Sequence, residues 1–157
     1  MKADGSGLYQ ASNLSGYDNT PYWSPDGSQI AFISEHTGDL EIFVMNADGT
    51  DKRKLTRNRR YQDSSPAWSP DGSQLVFESD SQIYALDMGR RIAVRLTRKE
   101  MSHVYSISWS SLGKQIAFGA WDNIYVMNAD GSNTPRNLTY TTDDDFGPLW
   151  QPCAVGE

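Results

Sequence analysis

The chain has 157 residues, of which 38% are hydrophobic and 22% are charged, and its net charge at pH 7 is −6. This length and composition are typical of one folded domain with a buried core, and they exclude a disordered chain. The sequence contains no apolar run long enough to predict a membrane-spanning helix, and its single cysteine, Cys153, excludes an internal disulfide and a cysteine-based zinc site. The acidic net charge argues against nucleic acid as a partner.

One sequence block recurs along the chain. Trp23 and Trp68 are each followed by Ser-Pro-Asp-Gly-Ser-Gln and then by a short apolar run. A degraded copy surrounds Trp109, and a fourth copy begins at Trp150. The spacings between these tryptophans are 45, 41 and 41 residues. A period of roughly 40–45 residues is typical of four-stranded propeller blades and of helical arrays.

The composition within one period favours blades. The Ser-Pro-Asp-Gly and Asn-Ala-Asp-Gly steps are turn signatures, and the segments between them are rich in β-branched and aromatic residues. No stretch of 11 residues keeps a helical period. Each period therefore predicts four strands. The predicted strands, in chain order, are 20–24, 28–34, 40–46, 52–56, 65–69, 73–79, 82–87, 92–97, 106–110, 114–119, 122–128 and 135–139.

The large aromatic residues keep fixed positions within the repeat. Phe32, Phe77 and Phe118 each follow their tryptophan by nine residues. Large apolar side chains that recur at a structural period usually fill a core. We therefore expect the repeated tryptophans and phenylalanines to pack between neighbouring blades.

The Trp-Ser-Pro-Asp-Gly block, followed by Ile-Phe-Val-Met-Asn-Ala-Asp-Gly and by Leu-Thr, resembles the repeat of TolB-like β-propellers. The resemblance covers nearly the whole chain. It implies an all-β fold of four-stranded antiparallel blades and, because TolB is a periplasmic protein of the Tol-Pal system, an exported or periplasmic location. Similar blades occur in relatives of prolyl oligopeptidase propellers, so the resemblance implies architecture more strongly than function.

The ends of the chain fall inside blades. Because residues 1–5 align with 45–49, residues 8–13 are predicted as the outer strand of an incomplete blade. One propeller segment, 1–157, then contains three complete blades and the edges of a fourth. The boundaries are a partial blade at 1–19, blades at 20–64, 65–105 and 106–146, and a partial blade at 147–157.

This blade count does not close the six-bladed ring that the resemblance implies. Three explanations stay open: the chain is a piece of a larger propeller, two chains form a ring from two half-rings, or the termini meet in a small closed ring. We expect self-association or a larger propeller, because an open arc exposes blade faces and strand edges.

Acidic residues recur five positions before the tryptophans, at Asp18, Asp63 and Asp145, while the third copy has Val104 with His103 beside it. These positions lead into the innermost strands, so we expect Asp18, Asp63, His103 and Asp145 at one mouth of the central channel. One interpretation is that each aspartate caps its own turn. The other is an anionic funnel that binds a basic peptide or, with Asp18, Asp63 and Asp145 as oxygen ligands, Ca²⁺. Val104 weakens a symmetric metal site.

Other chemical signatures are missing from the sequence. His36 and His103 have no second histidine at metal-binding spacing, and there is no Gly-x-Ser-x-Gly elbow and no phosphate-binding glycine loop. We therefore predict no catalytic residue and no cofactor, apart from Ca²⁺ in the channel.

Positive charge concentrates in the middle of the chain. Residues 51–100 hold 11 Lys and Arg against 7 Asp and Glu, whereas the other residues hold 3 against 13. Lysine and arginine on outer strands block unwanted strand pairing, which is a sufficient explanation, but together they also form one positive flank. The residues of this flank are Lys52, Arg53, Lys54, Arg57, Arg59, Arg60, Arg90, Arg91, Arg95, Arg98 and Lys99.

The sequence therefore predicts a non-catalytic propeller that binds a protein or peptide partner. Two alternatives belong to other classes. The chain could be the accessory or gating propeller of a prolyl-oligopeptidase-like hydrolase whose catalytic domain lies outside it. It could also act directly on a carbohydrate or another substrate with its channel acids, which predicts turnover by the chain alone.

Overall fold

A computed structural model of the chain describes residues 6–57, 62–98, 101, 103–140 and 145–150. These residues form three four-stranded antiparallel sheets in which each strand pairs with the next along the chain. The predicted four-stranded propeller blades are therefore confirmed. The described residues do not close a ring. The first sheet contains β1 (Asp18–Trp23), β2 (Gln29–Ser34), β3 (Glu41–Asn46) and β4 (Arg53–Lys54). The second contains β5 (Asp63–Trp68), β6 (Gln74–Ser79), β7 (Gln82–Asp87) and β8 (Ile92–Arg95), and the third contains β9 (Tyr105–Trp109), β10 (Gln115–Ala120), β11 (Asn123–Asn128) and β12 (Arg136–Asn137).

The Ser-Pro-Asp-Gly turn joins the first two strands of a blade. In the first blade, the Asp26 carboxylate accepts bonds from the Ser24 hydroxyl at 2.6 Å and from the Ser28 amide at 3.0 Å. Gly27, at a φ of 70°, occupies the left-handed region that favours glycine. The second blade repeats these bonds around Asp71. These bonds explain why this turn recurs in the sequence.

Each innermost strand carries a bulge that the sequence pattern did not predict. The register shifts within β1, β5 and β9, and one residue of each bulge has a positive φ: Thr20 at 50°, Ser65 at 51° and Ser106 at 50°. The predicted strands 20–24, 65–69 and 106–110 therefore began too late. Strand pairing resumes beyond the bulge, so β1 begins at Asp18, β5 at Asp63 and β9 at Tyr105.

The predicted outer elements are shorter than expected or absent. Residues 8–13 form no strand, because the described chain offers them no third strand to pair with. The N-terminal segment lies instead against the first blade, where Ala11 and Leu14 pack against a buried cluster formed by Ile30, Phe32, Phe43 and Met45. Outer strands β4 and β12 have two residues each, so the fourth strand of each blade is the least regular. Residues 1–5 and 151–157, assigned to the partial blades, lie outside the described residues.

The core lies mainly between neighbouring blades. The first junction buries Ala31 and Ile42 of one blade against Leu75 and Phe77 of the next. The second junction buries Val76 and Ile83 of the second blade against apolar side chains of the third blade, which include Ile116 and Phe118. Phe77 and Phe118 are buried at these junctions, which confirms the prediction for them, whereas Phe32 is buried among residues of its own blade and the N-terminal segment.

The repeat tryptophans link one blade to the preceding one. The Trp68 indole N–H donates to the Tyr22 carbonyl at 3.1 Å, and the Trp109 indole N–H donates to the Ala67 carbonyl at 3.1 Å. The equivalent Trp23 is 59% exposed. The prediction that all these tryptophans pack between blades is therefore wrong for Trp23, because no preceding blade lies against it in the described structure.

Candidate functional site

Two of the four predicted channel-mouth residues, Asp18 and Asp63, occupy equivalent positions at the beginning of innermost strands. Asp18 and Asp63 are the first residues of β1 and β5, and each is paired with the last residue of the neighbouring strand, Ser34 or Ser79. They belong to the strands rather than to the loops that the sequence suggested. Asp145 stands ahead of the fourth tryptophan, outside any described strand.

A main-chain bond fixes two of these positions to the preceding blade. The Asp63 amide donates to the Leu40 carbonyl at 2.9 Å, and the Asp145 amide donates to the Asp122 carbonyl at 3.0 Å. Leu40 and Asp122 each directly precede the third strand of their blade. The matching bonds support the repeat alignment, in which Asp145 corresponds to Asp63.

The surroundings of these residues differ from site to site. Asp63 is fully buried, whereas Asp18 is half-buried and its Oδ1 atom is buried without a hydrogen-bond partner. Asp18 lines a cavity of about 310 Å³ on the outward face of the first blade, beside Trp23 and Phe32. His103 is exposed just before β9, and its neighbour Val104 packs in the core.

Within the described parts of the chain, no group of three or more His, Cys, Asp or Glu side chains is placed to hold a metal ion. Asp18, Asp63 and Asp145 are therefore not gathered into such a group. In the same residues, no helix is long and apolar enough to cross a membrane.

Glu78 is an acidic residue near Asp63 that sequence reasoning missed. Its Oε2 atom accepts a bond from the Ser64 hydroxyl at 2.7 Å, and its Oε1 atom accepts one from the Ser81 amide at 2.5 Å. Burial raises the pKa of Glu78, and the nearby carboxylates of Asp63 and Asp80 act in the same direction, while the two hydrogen bonds oppose them. Ile33 and Gly119 stand at its position in the other blades, so no repeated acid identified it.

A threonine at the end of each blade organises the beginning of the third strand. In the first blade, the Thr56 hydroxyl donates to Glu41 Oε2 at 2.8 Å and accepts from the Ile42 amide at 2.9 Å. The second blade uses Thr97 and Gln82, and the third uses Thr139 and Asn123. The Leu-Thr repeat was visible in the sequence, but its acid or amide partner changes from Glu to Gln to Asn and was not recognised.

The first of these networks contains a charge pair. Glu41 is 2% exposed, and its Oε1 atom lies 2.8 Å from Lys54 Nζ, which also contacts the Thr37 hydroxyl at 2.9 Å. Arg53 pairs with Asp51 at 3.1 Å on the surface. Several members of the predicted positive flank therefore serve local structure, while Arg59, Arg60 and Lys99 lie outside the described residues.

A groove of about 610 Å³ runs between the first two blades. Lys54 to Arg57 form one side, and Phe77, Tyr84 and Leu86 of the second blade form the other, together with Arg91 and Ala93. The Phe77 and Tyr84 rings are stacked with centroids 5.6 Å apart. The groove combines an aromatic wall with arginine side chains.

His36 contacts both the N-terminal segment and the first blade. His36 Nδ1 lies 2.9 Å from the Ser15 hydroxyl, and its ring meets Phe43 edge-on at 6.3 Å. This contact joins the N-terminal segment to the loop after β2.

Comparison with known proteins agrees with the repeat geometry. The family model of the TolB beta propeller domain matches residues 5–154. The chain belongs to this family. Among curated proteins, it is 49% identical over 37 residues to YuxL of Bacillus subtilis (strain 168), described as an uncharacterized peptidase. This match spans 23% of the present chain and 6% of YuxL.

Solved TolB-type propellers have the same architecture. The putative TolB from Agrobacterium tumefaciens matches with a TM-score of 0.69 and 20% identity, over 81% of this chain and 50% of that one. TolB from Acinetobacter baumannii matches with a TM-score of 0.67 and 26% identity, over 84% of this chain and 34% of that one. A puromycin hydrolase shares the fold at a TM-score of 0.70 and 17% identity, over 87% of this chain and 24% of the hydrolase. The chain thus spans half or less of each of these relatives.

Proposed function

We propose that this TolB-type propeller is a non-catalytic scaffold that binds a basic segment of a protein partner at the mouth of its channel, in the periplasm or another exported compartment. The observation that carries the proposal is the placement of Asp18, Asp63 and Asp145 five residues ahead of three of the four repeat tryptophans, with Val104 at the remaining one. Rigid blades that hold acidic side chains at one end suit recognition of a cationic peptide, because charge complementarity gives specificity and speeds association.

The test measures binding of a fluorescent Lys- and Arg-rich peptide by anisotropy, with Asp18→Asn and Asp145→Asn variants. These two residues are half-buried, so they are better targets than the fully buried Asp63. Each change should weaken binding about fivefold, the size of one exposed charge pair. The control is Asp39→Asn, which removes an equal charge from an exposed loop of the first blade. Equal affinity of all variants would refute the channel-mouth site.

A second candidate function is that of an accessory propeller of a hydrolase. The similarity to YuxL and to puromycin hydrolase supports this candidate. It predicts that the coding sequence next to this chain contains an α/β-hydrolase pattern with a Gly-x-Ser-x-Gly elbow. A neighbouring sequence without such a pattern would favour the scaffold.

Self-association is part of the scaffold proposal. Tyr22 and Trp23 are exposed on the outward face of the first blade, where the other blades have a neighbour. Light scattering should therefore give a mass above that of one chain. A monodisperse monomer would contradict self-association without affecting the peptide-binding test.

A further inference from the structure

The groove between the first two blades has the size and chemistry of a binding site that is separate from the channel mouth. Its volume of about 610 Å³ lies within the range of sites that enclose small ligands or anchoring side chains. Its apolar wall is formed by the stacked rings of Phe77 and Tyr84, with Leu86 beside them. Such a surface favours an aromatic or large aliphatic group.

Two arginines from different blades bring positive charge to this wall. Arg57 follows β4 of the first blade, and Arg91 precedes β8 of the second; both are exposed and both line the groove. The third basic residue, Lys54, already contacts Glu41 and Thr37. Within the described ranges, the side-chain ion pairs are Arg53–Asp51 and Lys54–Glu41, so neither arginine belongs to one. Carboxylates on a ligand would supply the missing counter-charges.

The next blade shows which group fits against this aromatic wall. Tyr125 is the counterpart of Tyr84, and the Trp121 ring meets it edge-on with centroids 5.8 Å apart. In the second blade, the position of Trp121 is taken by Asp80, which does not line the groove. An aromatic side chain from a ligand could therefore make at Tyr84 the contact that Trp121 makes at Tyr125.

We infer that this groove binds a short acidic peptide segment in which an aromatic side chain is flanked by carboxylates. The aromatic ring packs on Tyr84, and the carboxylates on either side pair with Arg57 and Arg91. Because these residues are distinct from the channel-mouth aspartates and the required ligand charge is opposite, the inference is independent of the proposed function.

The experiment measures anisotropy of a fluorescein-labelled Gly-Glu-Glu-Phe-Glu-Glu-Gly peptide at low salt, titrated with the 157-residue chain. The variants are Arg57→Gln and Arg91→Asn; asparagine is chosen because Arg91 has a φ of 58°, which asparagine tolerates. Each should weaken binding about fivefold, as expected for one exposed charge pair. Arg98→Gln is the matched control, because Arg98 follows Thr97 as Arg57 follows Thr56. It should bind like the parent chain.

Two further peptides separate specific docking from general attraction. Replacing Phe by Ser keeps every charge, and replacing each Glu by Gln keeps the ring; both should bind at least fivefold more weakly. Parental affinity in the Arg57 and Arg91 variants, or equal affinity for the Ser peptide, would overturn the inference. A chain dimer in light scattering that the Arg91 variant abolishes would assign the groove to a second copy and would also overturn it. Urea midpoints close to that of the parent chain establish that the variants are folded.

Discussion

The carboxylate of Asp26 holds the turn between β1 and β2 together, and this has a consequence for acid stability. The hydrogen bonds from the Ser24 hydroxyl and from Ser28 lower the pKa of Asp26 from 3.8 to about 2. A carboxyl whose pKa is lower in the folded chain stabilises that state above its unfolded pKa, and this stabilisation disappears as the pH falls through the folded value. The same kind of bond lowers the pKa of Asp48, Asp71 and Asp130. The free energy of unfolding should therefore decrease between about pH 4 and pH 2.

Asp26→Asn tests this contribution. At pH 7, the variant should unfold at a lower urea concentration than the parent, because the charged acceptor of the turn is gone. At pH 2, the two midpoints should approach each other, since the parent carboxyl is then partly protonated. Urea titrations at the two pH values give the comparison, with Asp39→Asn as the exposed control. A midpoint difference that does not change with pH would contradict the assignment.

The buried Glu41 depends on Lys54 for its counter-charge. Lys54→Met should lower the free energy of unfolding by about 3 kcal/mol, because removal of one partner leaves a buried carboxylate uncompensated. In a Glu41→Gln background, the same change should cost much less, since the second blade keeps this network with Gln82. Urea unfolding of the two single variants and the double variant measures the coupling. Equal costs in both backgrounds would show that the lysine acts only through packing.

At the scale of one blade, Tyr105 lies on Gly119 across β9 and β10. A Cβ at Gly119 would lie 2.0 Å from Tyr105 Cε2, so the ring would have to move. Gly119→Ala should destabilise the chain by about 1–3 kcal/mol, the usual range for overpacking. With Tyr105→Ser present, which copies Ser64 of the second blade, the penalty should shrink. Thermal unfolding of the four chains tests this, and additive effects would exclude the steric explanation.

The hydrogen bond between blades gives a second test at this scale. Trp68→Phe keeps the ring but removes the indole donor to Tyr22, so it should cost about 1 kcal/mol and lower Tm by about 3 °C. Trp23→Phe is the matched control, because its ring is mostly exposed, and Tm should barely change. A similar loss in both variants would mean that the indole–carbonyl bond is not responsible.

The sequence predicted the strands well where a turn motif or an apolar run bounded them. The predicted strand 82–87 matches β7, and 122–128 differs from β11 by one residue. The sequence did not predict the beginnings of the innermost strands. Their bulges fall on threonine or serine, as at Thr20, and these residue types do not distinguish a bulge from a regular strand or a turn. Outer strands were overpredicted because a side chain takes over from the main chain at their ends. The Leu55 amide still donates to the Ile42 carbonyl, but the Ile42 amide donates to the Thr56 hydroxyl and not to a main-chain oxygen.

The candidate sites were predictable only in part, for a reason that concerns the whole molecule. A repeat alignment identifies equivalent positions, and it correctly placed Asp18 and Asp63 at the same point of successive blades. It does not give the neighbour that each position meets, so the difference in burial between them was not foreseen. The groove at Arg57 and Arg91 was likewise missed, because its two sides come from different blades.

The indole–carbonyl bonds also make the three blades energetically unequal. The second blade donates such a bond through Trp68 and accepts another at Ala67. In the described structure, the first and third blades each take part in only one indole–carbonyl bond. In a linear array coupled only through nearest neighbours, the end units fray first and the central unit opens last. Backbone amides of β6 and β7 should therefore exchange with deuterium more slowly than those of the equivalent strands β2, β3, β10 and β11. Native-state hydrogen exchange should therefore show the highest protection in the second blade and lower protection in the first and third blades.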